Sequence, residues 1–334
     1  MQDQSENQRV EEGADFKSVL IVGAGAMGCL FGGLLLRSVS AEVVFVESRE
    51  DKRRALKANG LTFVQGGSRE VFDVEVLAPG EAEEIERADL IIVCVKAYDT
   101  RAVAEWLAAC QDGRALVLTL QNGLGNIETL VELLGESRVI AGTTSLGAYM
   151  PDMTTVVYAG SGDVRIGELT GEITPRVERV SRLFRTCGVL ADSTNDVQRL
   201  VWSKLIVNVG INALTSVLRV ENGVLLDIQK ARELMVDLVT EALKVARKEG
   251  VEFVEEEMKQ EVIKVAESTA SNRSSMLSDI LVGNETEIEY INGAVARRAK
   301  KFGLAAPVNS VLCKLVQAGR EARLREKDIF ANSP

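Results

Sequence analysis

The sequence contains no histidine. That absence removes imidazole as general base, as partner of a nucleophile and as metal ligand, so proton chemistry must fall to lysine, carboxylate, tyrosine or cysteine. Cysteine is scarce and scattered: Cys29, Cys94, Cys110, Cys187 and Cys313 are odd in number and form no CxxC pair. The pattern argues against a disulfide framework or a structural zinc site and fits a reducing, cytoplasmic compartment. Positive charge is in deficit, with 39 Lys plus Arg against 49 Asp plus Glu, a net −10, and no basic cluster. Nucleic acid is therefore a poor fit as partner. Long hydrophobic runs are lacking except from Val19 to Leu36, and that run is broken by Gly23, Gly25, Gly28, Gly32 and Gly33. The residues before it, Met1 to Asp15, are polar and acidic rather than basic, so the run reads as a buried strand and helix, not as a secretory signal or a membrane span. Gly28 and Gly32 form a GxxxG that in a membrane would suggest helix pairing.

What is present points to a packed globular chain: hydrophobic residues make up 46% and charged residues 26%. A length of 334 residues suits two domains. Residues 1–16 read as a disordered tail, 17–194 as a dinucleotide-binding domain and 195–334 as a helical domain that completes the site. In the first part, apolar runs at Ser18 to Val22, Glu42 to Val46, Leu90 to Val95, Ala115 to Thr119 and Val139 to Gly142 alternate with helical patterns. Those helices are predicted at Asp99 to Ala109 and Ile127 to Leu134, besides one ending near Ser38. The alternation predicts an α/β fold, a Rossmann-type doubly wound parallel sheet followed by an all-helical C-terminal domain. Beyond about Asp192 strands stop, and helices are predicted at Arg232 to Glu249, Glu255 to Glu267 and Glu287 to Lys301, the last opened by a capping box of Thr286 and Glu289.

Between the first strand and its helix stands Gly23-Ala24-Gly25-Ala26-Met27-Gly28. In that context a GxGxxG suits a dinucleotide: Gly23 permits the turn, Gly25 lets the pyrophosphate approach and Gly28 lets helix pack on strand. The alternative is a tight turn with no ligand, while a P-loop is excluded because no Lys-Ser or Lys-Thr follows. The second strand ends in Glu47-Ser48-Arg49. An acid there bonds ribose hydroxyls, as with NAD, whereas Arg49 and the later Lys96 could hold the extra phosphate of NADP or be ordinary solvated charges.

From Leu200 to Leu214 the chain is apolar except for Ser203 and three residues spaced by four, Lys204, Asn208 and Asn212. That spacing sets a lysine and two amides in one line along a helix face. Burial disfavours the charged ammonium and lowers its pKa, which suits a proton donor to an alkoxide, and the amides can orient a substrate. The competing reading, a solvated stripe, is weakened because exposed helix faces favour Glu, Lys or Arg over asparagine. By spacing alone the serines from Ser271 to Ser278 could be helix capping, and Gln121-Asn122-Gly123 a plain turn, although its place after a sheet strand suits a ligand.

Four segments in order, GAGAMG at Gly23, VKAYDT at Val95, WSKLIVNVGINALT at Trp202, and SSMLSDI with TEIEYING from Ser274 to Gly293, resemble the ketopantoate reductase (2-dehydropantoate 2-reductase) family from Lys17 to about Gln317. The resemblance implies reduction of 2-dehydropantoate to pantoate with NADPH, on the route to pantothenate and coenzyme A. It implies Lys204 as proton donor and Glu287 as the site carboxylate, with Asn122, Asn208, Asn212 and Ser275 positioning substrate and nicotinamide, Lys96 near the adenosine phosphate, and Asn222 as a further substrate contact. Family members commonly follow the second strand with a small or hydrophobic residue and then arginine, where this chain has Glu47 and Ser48 before Arg49, so NADH stays open as the alternative cofactor. Two other functions remain: a dehydrogenase of another 2-keto or hydroxy acid, and a dinucleotide sensor without catalysis. The substrate is expected to lie between the domains. The sequence allows a homodimer and gives no sign of a membrane partner.

Overall fold

The computed structural model describes residues 16–81, 88–110 and 113–331, with side chains of the last helix described to Arg323. Two compact units emerge: Met1–Gln121 with Asn126–Val197, and Asn122–Gly125 with Gln198–Pro334.

The first unit opens with β1 (Ser18–Val22), α1 (Ala26–Ser38), β2 (Glu42–Val46), α2 (Glu50–Asn59), β3 (Leu61–Gln65), β4 (Ser68–Phe72), β5 (Glu75–Leu77) and β6 (Leu90–Val93). It continues through α3 (Thr100–Cys110), β7 (Leu116–Thr119), α4 (Asn126–Leu134), β8 (Val139–Thr144), β9 (Gly147–Tyr149), β10 (Thr155–Gly160), β11 (Asp163–Gly167), α5 (Pro175–Thr186) and β12 (Leu190–Thr194). Eight strands form one sheet in the order β12-β11-β8-β7-β6-β1-β2-β5. All neighbours run parallel except β8 and β11, which pair antiparallel. The parallel α/β fold was expected; the antiparallel pair was not.

Strand β1 shows why its sequence carries no alternation. Val19 and Ile21 enter a core with α1 and α5 residues such as Leu30, Leu34 and Phe184, while Leu20 and Val22 enter another with Leu107 and Leu130. A strand covered on both faces needs apolar residues at every position. On α1, Gly32 and Gly33 admit the rings of Phe45 and Phe63: a Cβ there would lie 2.1 and 2.4 Å from ring carbons. The glycine-rich helix thus packs on strands, as expected from the interrupted apolar run. A second sheet, order β4-β3-β10-β9, was not expected from the sequence. Phe16, assigned to the tail, is 2% exposed with the Arg179 guanidinium 4.4 Å over its ring. The rest of that expected tail, residues 1–15, lies outside the described residues. The five cysteines are free thiols.

The second unit comprises α6 (Val197–Leu218), α7 (Val224–Asp227), α8 (Gln229–Lys248), α9 (Glu255–Ser268), α10 (Ser275–Val282), α11 (Asn292–Lys301) and α12 (Pro307–Ala331). Helix α6 is long and apolar enough to cross a membrane by length and composition, but 61% of its most apolar window is buried inside the structure, where Trp202, Leu205, Ile206 and Val209 join the core. The expected helix from Glu287 is broken: a 3-10 turn over Ile288–Tyr290 precedes α11. No capping box forms there, because the Glu289 carboxylate accepts instead from Arg297 and from Gln317 Nε2, the latter at 2.6 Å. Attraction to those distant donors outweighs a local backbone bond.

One buried polar network fixes α8, α11 and α12. The Glu241 carboxylate, 8% exposed, accepts the backbone N–H of Val308 and of Asn309 at 3.0 Å each, satisfying the first turn of α12. Asn309 Nδ2 donates to the same carboxylate at 2.8 Å, and Asn292 Nδ2 donates to Asn309 Oδ1 at 2.9 Å. Replacing Glu241 by leucine strands these donors, and unmade buried bonds to a charged group cost about 3 kcal/mol. A urea unfolding midpoint lowered accordingly is the expected result, and an unchanged midpoint would remove Glu241 as a stabilising anchor.

Candidate functional site

Three neighbouring strands of the first unit, β6, β1 and β2, deliver Lys96, the glycine turn and Glu47 at their carboxyl ends, where ligands of open α/β sheets bind. Gly23 has φ +98°, a conformation glycine adopts without strain, and its N–H donates to Val46 O at 2.8 Å. A Cβ at Gly28 would lie 1.9 Å from the Gly23 carbonyl oxygen, whereas a Cβ at Gly25 would meet nothing within 4 Å. Gly28 is thus required for packing, and Gly25 leaves open space beside the backbone. Helix α1, whose first turn includes Ala26 and Met27, begins at Gly25 with no side-chain cap bond and no acid in its first turn. Uncapped N–H groups and the positive end of the helix dipole suit a pyrophosphate, so these residues fit a dinucleotide.

Glu47 is 8% exposed, and its Oε2 accepts the Ala24 N–H at 3.2 Å while Oε1 accepts the Arg49 N–H at 2.9 Å. The Arg49 side chain is exposed and paired with Asp51, Nη2 to Oδ2 at 2.7 Å. Lys96 is half-buried and leads into a 3-10 turn over Ala97–Asp99. Beneath the turn, the Cys29 thiol donates to Ala24 O at 3.1 Å, and burial pushes it up to about 12, which leaves it an unreactive packing group.

Seven sequence-predicted residues fall in the second unit: Asn122, Lys204, Asn208, Asn212, Asn222, Ser275 and Glu287. Lys204 and Asn208 are half-buried on α6, and Asn212 is 6% exposed. Among the described residues neither asparagine carboxamide makes a hydrogen bond, and neither has a fully buried polar atom left unsatisfied. Three ties hold the other residues around this helix. Asn292 Nδ2 donates to Val209 O at 3.2 Å, fixing the segment that carries Glu287, itself buried. The hydroxyls of Thr215 and Ser274 lie 2.8 Å apart, fixing the start of α10 and thus Ser275. The Leu124 N–H donates to Tyr290 O at 2.9 Å, fixing the loop of Asn122. That loop turns at Gly123, φ +87°, where a Cβ would lie 2.5 Å from Tyr290 O.

Residues 19–171 match the ketopantoate reductase PanE/ApbA family, and residues 196–320 match its C-terminal domain. The chain belongs to the ketopantoate reductase PanE/ApbA family. It is 39% identical over 300 residues to a 2-dehydropantoate 2-reductase of Halobacterium salinarum, covering 90% of this chain and 97% of that one. A 2-dehydropantoate 2-reductase of Archaeoglobus fulgidus is 37% identical over 302 residues, covering 90% and 96%. Among solved structures, a PanE/ApbA family ketopantoate reductase from Ralstonia eutropha superposes with a TM-score of 0.84 at 30% identity, covering 92% of this chain and 99% of its own. D-mandelate dehydrogenase with NADH and anilino(oxo)acetate gives 0.86 at 26% identity, covering 91% and 99%.

Within this ketopantoate reductase fold, two adjacent serines part company. Ser274 is buried as the N-cap of α10 and accepts the Leu277 N–H at 3.1 Å, while Ser275 is exposed. Asn222 serves the backbone: its N–H donates to Asn272 O at 3.0 Å and its Nδ2 to Thr269 Oγ1 at 2.9 Å, with Oδ1 buried and unpartnered. Sequence reasoning missed Thr215, Asn292 and Asn309 as supports; each sits in a segment read only for its apolar or site residues, and nothing local marks a long-range bond.

Proposed function

We propose that the chain reduces a 2-keto acid, 2-dehydropantoate, to the 2-hydroxy acid pantoate with a reduced nicotinamide dinucleotide. The observation that carries this reading is the line of Lys204, Asn208 and Asn212 on α6, with two carboxamides that make no hydrogen bond among the described residues although Asn212 is only 6% exposed. Amides on an otherwise apolar helix face that keep their donors and acceptors free of the described protein groups are available to a polar ligand. A substrate with a carboxylate, a carbonyl and a hydroxyl is such a ligand.

The dinucleotide, when bound at the glycine turn, supplies the hydride that adds to the C2 carbonyl. Lys204 stabilises the developing alkoxide and gives its proton to that oxygen, the step that needs a positioned acid in a chain without histidine. Asn208 and Asn212 orient the carbonyl and the hydroxyl, Ser275 and Asn122 hold the substrate and the nicotinamide amide, and the Glu287 carboxylate accepts a hydrogen bond from the substrate hydroxyl. Asn222, turned toward Thr269, shapes the loop after α6. Family membership favours NADPH, with Arg49 and Lys96 near the adenosine end; NADH is the alternative raised by Glu47. Reduction of an aryl 2-keto acid is the second reading, supported by the likeness to D-mandelate dehydrogenase.

Incubation of purified chain with 2-dehydropantoate and reduced cofactor tests the reading. Pantoate formed in equal amount to cofactor oxidised is the expected result; cofactor binding without product would leave a dinucleotide sensor instead.

A further inference from the structure

We infer that Glu47 makes the chain select the unphosphorylated cofactor, NADH over NADPH; the inference rests on the reading of the glycine turn as a dinucleotide site. In dinucleotide folds the end of the second strand meets the adenine ribose, and an acid there receives the ribose hydroxyls. Here that acid is fixed rather than mobile. Glu47 N–H continues the sheet by donating to Leu77 O at 3.0 Å, and the carboxylate bridges from the glycine turn at Ala24 to the start of α2 at Arg49. Oε2 accepts one bond, and Oε1 accepts that of Arg49 and a long one at 3.5 Å from the Ser48 hydroxyl, which can rotate away. A carboxylate accepts about four hydrogen bonds, so lone pairs remain on both oxygens once it does. Two ribose hydroxyls fit that remaining capacity.

A 2′-phosphate would bring its charge against an anion that cannot swing away, because two backbone donors and burial hold it. The cations nearby are already engaged. Arg49 is bound to Asp51 through two bonds, Nε to Oδ1 at 3.2 Å and Nη2 to Oδ2 at 2.7 Å. Arg53 Nη1 donates to the carbonyls of Glu47 at 2.9 Å and of Ser48 at 2.6 Å, so it braces the strand end. The Lys52 side chain is buried, with Nζ 3.2 Å from Met150 Sδ. Ser48, exposed beside the carboxylate, offers no charge where an arginine would hold a phosphate. The opposing reading leans on Lys96 at the end of β6.

Equilibrium binding of NADH and of NADPH to the full chain, followed by fluorescence without keto acid, tests the inference. Wild type is expected to bind NADH at least about tenfold more tightly, and Glu47→Gln to bring the two affinities within about threefold, mainly by improving NADPH. Should Glu47→Gln not fold, Ser48→Arg on the exposed position is the second variant, expected to raise NADPH affinity with NADH affinity kept. Preference of wild type for NADPH, or an NADH preference that neither variant moves, overturns the role of Glu47 while leaving the dinucleotide site intact. Failure of both cofactors to bind overturns the site itself, and with it this inference.

Discussion

Replacing Lys204 by alanine is expected to lower turnover about a hundredfold or more while dinucleotide affinity stays within about twofold. The argument is one of elimination joined to placement. Without histidine, the acid for a carbonyl reduction must be a lysine, carboxylate, tyrosine or cysteine. On α6, Lys204 stands in line with two amides that make no hydrogen bond among the described residues. Arginine at the same position keeps the positive charge but holds its proton too tightly to donate, so Lys204→Arg should lose nearly as much rate as alanine. Steady-state kinetics with saturating cofactor provide the check. Near-normal turnover in Lys204→Ala would remove the lysine from the mechanism.

The second large effect is expected at the glycine turn, where two glycines should behave oppositely. Alanine at Gly28 places a Cβ 1.9 Å from the Gly23 carbonyl oxygen and 3.1 Å from Ile21 Cγ2. The first contact is with backbone, so the turn itself must open and break the fit of α1 on β1. A clash of this kind costs about 3 kcal/mol or more, which for a unit of this size lowers the melting temperature by roughly 10 °C. Alanine at Gly25 meets nothing in the protein and should leave the melting temperature alone, yet its methyl occupies the space beside the uncapped start of α1. Thermal melts combined with cofactor titration separate the two: Gly28→Ala should lose stability and binding, Gly25→Ala binding alone. Equal stability of both variants would contradict the packing argument.

Legibility in the sequence followed the range of the interactions involved. β1, α1 and β2 were readable because burial on both faces forces continuous apolar strands, and because a glycine turn between strand and helix has few other uses. The second sheet was not readable: β9 is only Gly147–Tyr149, and β4 alternates too weakly, with Ser68, Arg69 and Val71 all exposed. Helix α5 carried a signal that went unused, an amphipathic stretch opened by Pro175 at its first position. The line of Lys204, Asn208 and Asn212 was legible because helical spacing is local. Its supports were not, since the Thr215–Ser274 and Asn292–Val209 bonds join residues 59 and 83 positions apart. The capping box at Thr286 failed for the same reason: Arg297 and Gln317 reach Glu289 from later helices.

The proposed role of the two carboxamides carries an expectation for substrate choice. On the proposed reading a hydroxylated 2-keto acid would satisfy Asn208 and Asn212, an aryl 2-keto acid would leave part of their hydrogen-bonding capacity unmade, and a site built for a hydroxyl discriminates strongly against its absence. The most direct measurement is therefore kcat/KM for 2-dehydropantoate beside that for a phenyl-bearing 2-keto acid, with one reduced cofactor. A preference for 2-dehydropantoate of about a hundredfold or more is predicted. Equal or better use of the phenyl compound would contradict the assignment.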